Sequence, residues 1–312
     1  MSRITTLPAH LTGAFSYREA LTAGVSKGRL RADDLTHPYQ GVRVRGPLDG
    51  TPLAQLAAYR ARMDGNEFFS HSSAALLFGM PLPRRLESAT PLHVSVLEPG
   101  KPPEASGIVG HQLSDVVVLV HNGFRVSSPV DTWCRLGSML SIGDLVAVGD
   151  YIVTGPDPFH GMPALAPLSA LRAGVDRFAG RRGVRRLRAA CPLVRIGVLS
   201  RKETQVRLLI TNAGLPEPVL NYRVPECEDV WTVVDLAYPA YRLGLEYEGD
   251  WHRTDLRKFR DDIGRRERLL DVGWEIIRIT DDDLARPDAL IARIRKRLRA
   301  RGALASPALL WV

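Results

Sequence analysis

Three acidic side chains lie within a short stretch of sequence, and their spacing could support metal-ion chemistry. Residues 230–237 are rich in β-branched and apolar types and predict a strand that carries Asp235. Residues 243–248 alternate, so Glu246 and Glu248 lie on the same face of a second strand. Carboxylates grouped on one patch repel one another unless a cation neutralises them, and hard oxygen ligands suit Mg²⁺ or Mn²⁺.

A hairpin would bring the two strands together. Residues 239–241 (Pro-Ala-Tyr) predict the turn between them. If Ala237 pairs with Gly244, Asp235 lies directly opposite Glu246, with Cβ atoms roughly 5 Å apart. A carboxylate in a mostly buried strand is costly unless something pairs with it. We therefore expect the three carboxylates to converge within metal-bridging distance.

The order Asp235, Glu246-Tyr247-Glu248-Gly249, Trp251-His252 resembles the catalytic segment of very-short-patch-repair-like endonucleases, members of the PD-(D/E)XK nuclease superfamily. The resemblance covers residues 199–301. Further matches are Phe259-Arg260-Asp261, Arg265, Gly273-Trp274 and Ile277-Arg278. The resemblance implies a restriction-endonuclease-like αβββαβ core that hydrolyses DNA phosphodiesters with Mg²⁺ or Mn²⁺.

The same resemblance implies a role for each residue. Asp235 and Glu246 would hold one or two divalent cations, with Glu248 as a further ligand. His252 would deprotonate or orient the attacking water, and Arg265 would neutralise the transition state. The superfamily usually has a lysine where this chain has Glu248. The very-short-patch-repair branch lacks it too and uses a histidine after the glycine, which His252 matches.

Two residues, Glu203 and Arg265, each have two interpretations. Ser200 predicts the N-cap of a helix over 200–213, and Glu203 can complete its capping box. In the family an acidic residue on the first helix often joins the metal cluster, so Glu203 is also a candidate ligand. Arg265 follows Asp261 by four residues and can form a helical ion pair, or it can hold the scissile phosphate.

The N-terminal region predicts a small DNA-binding unit. Ser16 and Glu19 form a capping box, residues 27–34 predict a basic helix, and residues 39–46 alternate like a strand. This winged helix-turn-helix pattern resembles the N-terminal domain of type IV (abortive-infection) antitoxins. A small helical cap with exposed arginines is the alternative. The candidate DNA-contacting residues are Lys27, Arg29, Arg31, Arg43 and Arg45.

The middle region predicts an α+β unit without a catalytic constellation. Four histidines in it share no metal-ligand spacing, which favours capping or structural roles: His71, His93, His111 and His121. The predicted helices are 53–63, 70–79 and one capped by Ser128 with Pro129 at its first position; the predicted strands are 92–97, 116–119 and 124–126.

An arginine-rich run follows the middle region. It is typical of a solvated helix face, but arginine is also a bidentate phosphate donor, so both interpretations stay open. The candidate phosphate contacts in it are Arg181, Arg182, Arg185 and Arg186.

The composition fits a folded protein with a polyanionic partner. The 312 residues carry a net charge of +8 with pI near 9.7, which suits DNA. No apolar run reaches the length of a membrane span, and the first ten residues lack a secretory pattern, so we expect a cytoplasmic protein. Three scattered cysteines predict neither disulfides nor a zinc site.

Together these patterns predict a mixed α+β chain: a winged helix over 1–50, an α+β middle domain over 51–190 and a nuclease-like domain over 195–312. The predicted function is metal-dependent DNA endonuclease. The alternative is a non-catalytic, antitoxin-like DNA-binding regulator that keeps a decayed nuclease fold and has a toxin as its partner. RNA as the substrate also stays open.

Overall fold

The computed structural model describes residues 6–88, 90–158, 161–225, 232–248 and 256–303, apart from the side chains of 256–263. In these ranges the chain is a mixed α+β protein with three sheets. It divides into two compact units, one of residues 1–153 and 164–193, the other of 154–163 and 194–312. The predicted winged-helix and middle regions both contribute to the first unit, and the nuclease-like region lies in the second.

The first unit begins with a small antiparallel sheet in the order β1-β3-β2. Its elements are β1 (Ala14–Ser16), α1 (Tyr17–Thr22), β2 (Leu35–Thr36) and β3 (Val42–Arg45). As predicted, Ser16 caps α1 in a capping box, and its Oγ accepts the Glu19 N–H at 3.0 Å. Phe15, Ala20 and Leu30 form the buried centre of this part.

The predicted basic helix over residues 27–34 is wrong. The segment contains only a 3₁₀ turn, Arg29–Arg31. Two local features account for the difference: Gly28 disfavours a helix, and the Arg29 guanidinium donates to both carboxylate oxygens of Asp34 at 2.8 and 2.7 Å. The helix-turn-helix part of the winged-helix prediction is therefore not formed here, although β3 lies within the predicted strand.

The rest of the first unit surrounds a mixed five-stranded sheet in the order β6-β5-β4-β8-β7. Its strands are β4 (Glu67–Phe69), β5 (Leu92–Leu97), β6 (Ile108–Leu113), β7 (Val118–His121) and β8 (Phe124–Ser127). Its helices are α2 (Pro52–Arg60), α3 (His71–Leu77), α4 (Arg84–Glu87), α5 (Pro129–Leu136), α6 (Ile142–Thr154), α7 (Leu168–Arg177) and α8 (Val184–Ala190).

Several predictions for this region are confirmed. The strand predicted over 92–97 coincides with β5. Ser128 caps α5, with Pro129 at its first position. The fully buried Trp133 of α5 donates its Nε1–H to the carbonyl of Leu145 at 2.8 Å, which satisfies the one polar group of a core indole.

The second unit has the predicted order of helix, three strands, helix and strand. Its elements are α9 (Arg201–Asn212), β9 (Val219–Arg223), β10 (Val233–Tyr238), β11 (Leu243–Tyr247), α10 (Leu256–Asp271), β12 (Glu275–Ile279), α11 (Asp281–Leu284) and α12 (Pro287–Ala300). The sheet order is β12-β11-β10-β9; β9, β10 and β11 are antiparallel neighbours, and β12 runs parallel to β11.

Apolar clusters cover both faces of this sheet. Val206 of α9 and Ile294 of α12 pack with Leu245 on one face. Leu269 of α10 and Trp274 belong to a second cluster. Over the described residues, the sheet is thus held between helices.

The strand alternation breaks at Asp235. Side chains alternate between faces along a strand, yet Val234 and Ala237, three residues apart, lie in the same apolar cluster. In the neighbouring strand β9, Asn221 has a φ of +42°, and the β9–β10 register places it opposite Asp235. The distortion in both strands therefore falls at the predicted catalytic position.

Candidate functional site

Glu203 is positioned by the start of α9. Ser200 caps this helix, and its Oγ accepts the backbone N–H of Glu203 at 3.1 Å. The buried Glu203 carboxylate accepts the N–H of Leu199 at 3.0 Å and the side-chain amide of Asn221 at 3.2 Å. The carboxylate thus accepts from Leu199, one residue before the N-cap, and from Asn221 of β9. Its negative charge acts on Asp235.

Asp235 lies between two other carboxylates. The predicted pairing of Ala237 with Gly244 is confirmed, and the same register places Asp235 opposite Glu246. The Asp235 Oδ2 accepts the backbone N–H of Tyr247 at 3.1 Å. Burial, followed by the negative charges of Glu203 and Glu246, raises the pKa of Asp235 to about 7.

Glu246 is held by Arg265 of α10. The guanidinium donates to both carboxylate oxygens at 2.6 and 2.7 Å, and Nη1 also donates to the carbonyl of Val233 at 3.1 Å. This is a bidentate, charge-assisted pair at a mostly buried carboxylate. Arg265 thereby places a positive charge beside Glu246. Its predicted helical partner Asp261 lies outside the described side chains.

Glu248 does not join the cluster. Its carboxylate pairs with Arg278 of β12 at 2.7 Å, on a partly exposed part of the sheet. The carboxylates whose charges act on Asp235 are those of Glu203 and Glu246. The predicted convergence of Glu248 with Asp235 and Glu246 is therefore not found over the described residues, and its role as a metal ligand stays a prediction. His252 lies outside the described residues.

The predicted convergence within metal-bridging distance is also not found among the carboxylates. Over the described ranges, the three candidate ligands whose donor atoms all lie within 4.8 Å of one another are histidines, not carboxylates. Glu203, Asp235 and Glu246 are below called the acidic cluster.

The predicted DNA-binding residues of the N-terminal part divide into two groups. Arg29 is buried in its pair with Asp34, so its assignment as a phosphate contact is wrong. Arg43 donates to the carbonyls of Leu30 and Val42 and covers the ring of Tyr17. The remaining predicted residues of this part are exposed: Lys27, Arg31 and Arg45.

The arginines near α8 divide in the same way. Arg181 stacks on Phe178 and lies 3.6 Å from Asp115. Arg186 donates to the carbonyl of Leu140 at 3.3 Å. Arg182 and Arg185 are exposed and remain candidates for phosphate contacts.

Sequence reasoning missed a histidine cluster in the first unit. His71 begins α3, His93 lies on β5 and His111 on β6, and one ring nitrogen of each lies within 4.8 Å of the others. The spacing of the three histidines along the sequence matches no metal-binding motif. Parallel pairing of β5 with β6, with Ser95 opposite His111, brings them together, and a prediction of β6 would have been the signal to find them.

The histidine rings lie close together, with His71 buried and His93 and His111 half-buried. The His71 and His111 rings stack with centroids 4.0 Å apart, and His93 Nδ1 lies 2.9 Å from His111 Nε2. Burial, together with mutual repulsion, lowers the pKa of His111 to about 4 and that of His71 well below its usual value. Burial also lowers the pKa of His93. All three imidazoles are therefore neutral at pH 7.

Comparison with known proteins gives relatives but no family. No family model matches the chain. It is 29% identical over 254 residues to the uncharacterized proteins MT2308 and Rv2248 of two Mycobacterium tuberculosis strains, which covers 80% of this chain and 88% of each relative. The crystal structure of the RV2827C protein from Mycobacterium tuberculosis aligns with a TM-score of 0.35 at 14% identity, over 59% of this chain and 77% of that one. A TM-score of this size establishes no common fold.

No helix in the described part of the chain combines the length and the apolar character needed to cross a bilayer.

Proposed function

We propose that this protein is a metal-dependent endonuclease that hydrolyses DNA phosphodiester bonds at the acidic cluster. The observation that carries the proposal is the grouping of Glu203, Asp235 and Glu246, from α9, β10 and β11, beside Arg265 of α10. The order of elements that supports these side chains is the one implied by the resemblance to very-short-patch-repair-like endonucleases.

The acidic cluster has the donor chemistry for a divalent cation. Burial and the charges of Glu203 and Glu246 raise the pKa of Asp235 to about 7, which a bound cation would reverse, and oxygen ligands suit Mg²⁺ or Mn²⁺. Asp235, Glu246 and Glu203 would hold the ion. When bound, it lowers the pKa of coordinated water and stabilises charge on the phosphate. Glu248 would join only if it exchanged Arg278 for the metal.

The surrounding groups fix the orientation of the carboxylates. The Tyr247 N–H holds Asp235, and the Asn221 amide holds Glu203. Arg265 holds Glu246 and, as a bidentate donor, would bind a phosphate oxygen. His252, assigned by the resemblance, would act as the general base.

Exposed cations outside the cluster would bind the DNA backbone. Lys27, Arg31 and Arg45 in the N-terminal part, with Arg182 and Arg185 near α8, are exposed on a chain with net charge +8. Such contacts give affinity without sequence information.

A non-catalytic DNA-binding regulator, with a toxin as its partner, is the second candidate. The observation that favours it is the saturation of two carboxylates by arginine: Arg265 on Glu246 and Arg278 on Glu248. A decayed nuclease site whose carboxylates are neutralised by arginines of the same chain would have this arrangement. The regulator hypothesis predicts DNA binding without hydrolysis and without a response to Mg²⁺.

A nicking assay on supercoiled DNA with Mg²⁺ or Mn²⁺ distinguishes the two candidates. We expect nicking by the wild type and a loss of at least about a hundredfold in Asp235→Asn, with DNA affinity retained. Asp271→Asn is the matched control, because Asp271 is an exposed carboxylate at the end of α10 in the same unit. DNA binding with no nicking by the wild type in either metal would establish the regulator. Cleavage of RNA in a parallel reaction would reassign the substrate.

A further inference from the structure

The histidine cluster of the first unit has the donors of a transition-metal site. It consists of His71, His93 and His111, and one imidazole nitrogen of each lies within 4.8 Å of the others. Imidazole suits Zn²⁺, Cu²⁺ and Ni²⁺, whereas Mg²⁺ and Ca²⁺ require oxygen ligands. Its chemistry therefore differs from that of the acidic cluster.

The distances are compatible with one ion. Two nitrogens bound to a tetrahedral Zn²⁺ at about 2.0–2.1 Å are roughly 3.3 Å apart. The His93 Nδ1 to His111 Nε2 distance of 2.9 Å is only a few tenths of an ångström shorter. One of these two nitrogens carries the proton of the hydrogen bond. Transfer of that proton to the other nitrogen of the same ring, with a small rotation of both rings, would leave both lone pairs available to one ion.

A buried hydroxyl pair orients the third ligand. Ser70 Oγ lies 2.8 Å from His71 Nδ1 and 2.6 Å from Ser95 Oγ. With the proton on Nδ1 of His71 donated to Ser70, the lone pair of Nε2 is free. Metal-bound histidines commonly have such a partner for their second nitrogen.

The backbone supports the same placement. His71 has a φ of +50°, a strained value for a residue with a side chain. His71 is the first residue of α3, and its imidazole is buried. Strain of this kind is concentrated at functional sites.

A nearby cation limits what the site can hold. The positive charge of Arg135 acts on His71 and His111, and over the described residues its buried Nε has no hydrogen-bond partner. This charge weakens binding of a bare cation and favours an anion beside it. Three protein ligands also leave the fourth position of a tetrahedral ion open.

We propose that His71, His93 and His111 form a binding site for one Zn²⁺ ion, whose open fourth position takes water or a small anion. The site is independent of the acidic cluster and of nuclease activity.

Calorimetric titration of tag-free, metal-stripped full-length protein with ZnCl₂ tests the proposal. We expect one Zn²⁺ per chain. His93→Ala and His111→Ala should each lower the Zn²⁺ affinity by at least about a hundredfold, and Ser70→Ala by about tenfold, as for an orienting partner. His121→Ala is the matched control, because His121 lies on β7 of the same sheet outside the cluster. An unchanged affinity in His93→Ala or His111→Ala would overturn the assignment.

A second measurement needs no variant. In long-range ¹H–¹⁵N spectra of the wild type, Zn²⁺ should shift the ring nitrogens of three of the eight histidines. It should also raise the midpoint of thermal unfolding in proportion to the logarithm of its concentration, whereas MgCl₂ should do neither. No shift and no stabilisation by Zn²⁺ would refute the site, whatever the nicking assay gives.

Discussion

At the residue scale, Asp235 is held away from its usual charge state by its surroundings. Its side chain is partly buried and adjoins the charges of Glu203 and Glu246, which together raise its pKa to about 7. In the unfolded chain an aspartate titrates near 3.8. Between these two values the folded protein binds a proton that the unfolded chain has released.

This difference predicts a pH-dependent stability. Because the pKa of Asp235 is raised on folding, its contribution stabilises the metal-free protein at low pH and is lost as the pH rises from about 3.8 to about 7. Asp235→Asn should remove that slope and stabilise the metal-free protein at pH 8 by on the order of 2 kcal/mol. Urea unfolding of both proteins at several pH values measures it. Parallel pH profiles for the two would contradict the raised pKa.

Arg265 should be a stabilising residue of the metal-free site. Replacing it with glutamine leaves Glu246 mostly buried without its bidentate partner, which should cost about 1–3 kcal/mol. Arg266→Gln, at the exposed neighbouring position on α10, should change stability by less than about 0.5 kcal/mol. Denaturant midpoints compare the two. An Arg265→Gln protein as stable as Arg266→Gln would show that Glu246 is satisfied by other groups.

Residue types were more predictable from the sequence than their partners. The alternation of β11 and the pairing of Ala237 with Gly244 followed from the period of two. The capture of Glu248 by Arg278 did not, because it depends on the parallel neighbour β12, which is distant in sequence. The histidine cluster was missed for the same reason: two of its members, His93 and His111, meet through β5–β6 pairing.

At the scale of elements, the β10–β11–β12 sheet depends on one small residue. A Cβ added at Gly244 would lie 2.5 Å from Ile276 Cδ1 and 2.7 Å from Val234 Cγ1. Apolar side chains of two neighbouring strands therefore fill the space above the Gly244 backbone.

Gly244→Ala should destabilise the second unit by about 1–3 kcal/mol through overpacking. Gly264→Ala is a control of opposite sign: it lies inside α10, and its added Cβ would meet the end of the Arg268 side chain at 3.3 Å. An alanine there should stabilise by up to about 1 kcal/mol. Thermal unfolding distinguishes the two, and a stabilised Gly244→Ala would contradict the close packing.

Element boundaries were predictable where a capping residue marks them. Ser16, Ser128 and Ser200 each cap the helix that the sequence predicted. The basic helix over 27–34 failed because helical spacing of cations is a weak signal, and the Arg29–Asp34 pair stabilises a tighter turn.

At the scale of the whole molecule, the net charge of +8 should affect DNA affinity through the exposed cations. We expect replacement of Lys27, Arg31 and Arg45 by glutamine to weaken duplex DNA binding and to reduce the slope of log affinity against log salt by up to about 3. Fluorescence anisotropy at several NaCl concentrations measures this slope.

The control removes the same charge elsewhere in the first unit. Arg84, Lys101 and Arg125 are exposed, and their replacement by glutamine should leave the salt slope nearly unchanged. Equal losses in the two triple variants would show that the N-terminal part is no DNA-binding surface and that only net charge acts.

The Arg265–Glu246 pair also links two ligands thermodynamically. Arg265 donates to both carboxylate oxygens of Glu246. In the proposed enzyme, a metal ion at the acidic cluster would compete with Arg265 for Glu246 and release its guanidinium. A phosphate group that captures this guanidinium would in turn make Glu246 available to the metal. By reciprocity each ligand raises the affinity for the other by the same factor. Mg²⁺ and DNA would therefore bind with positive cooperativity, and neither ligand alone would fully separate Arg265 from Glu246.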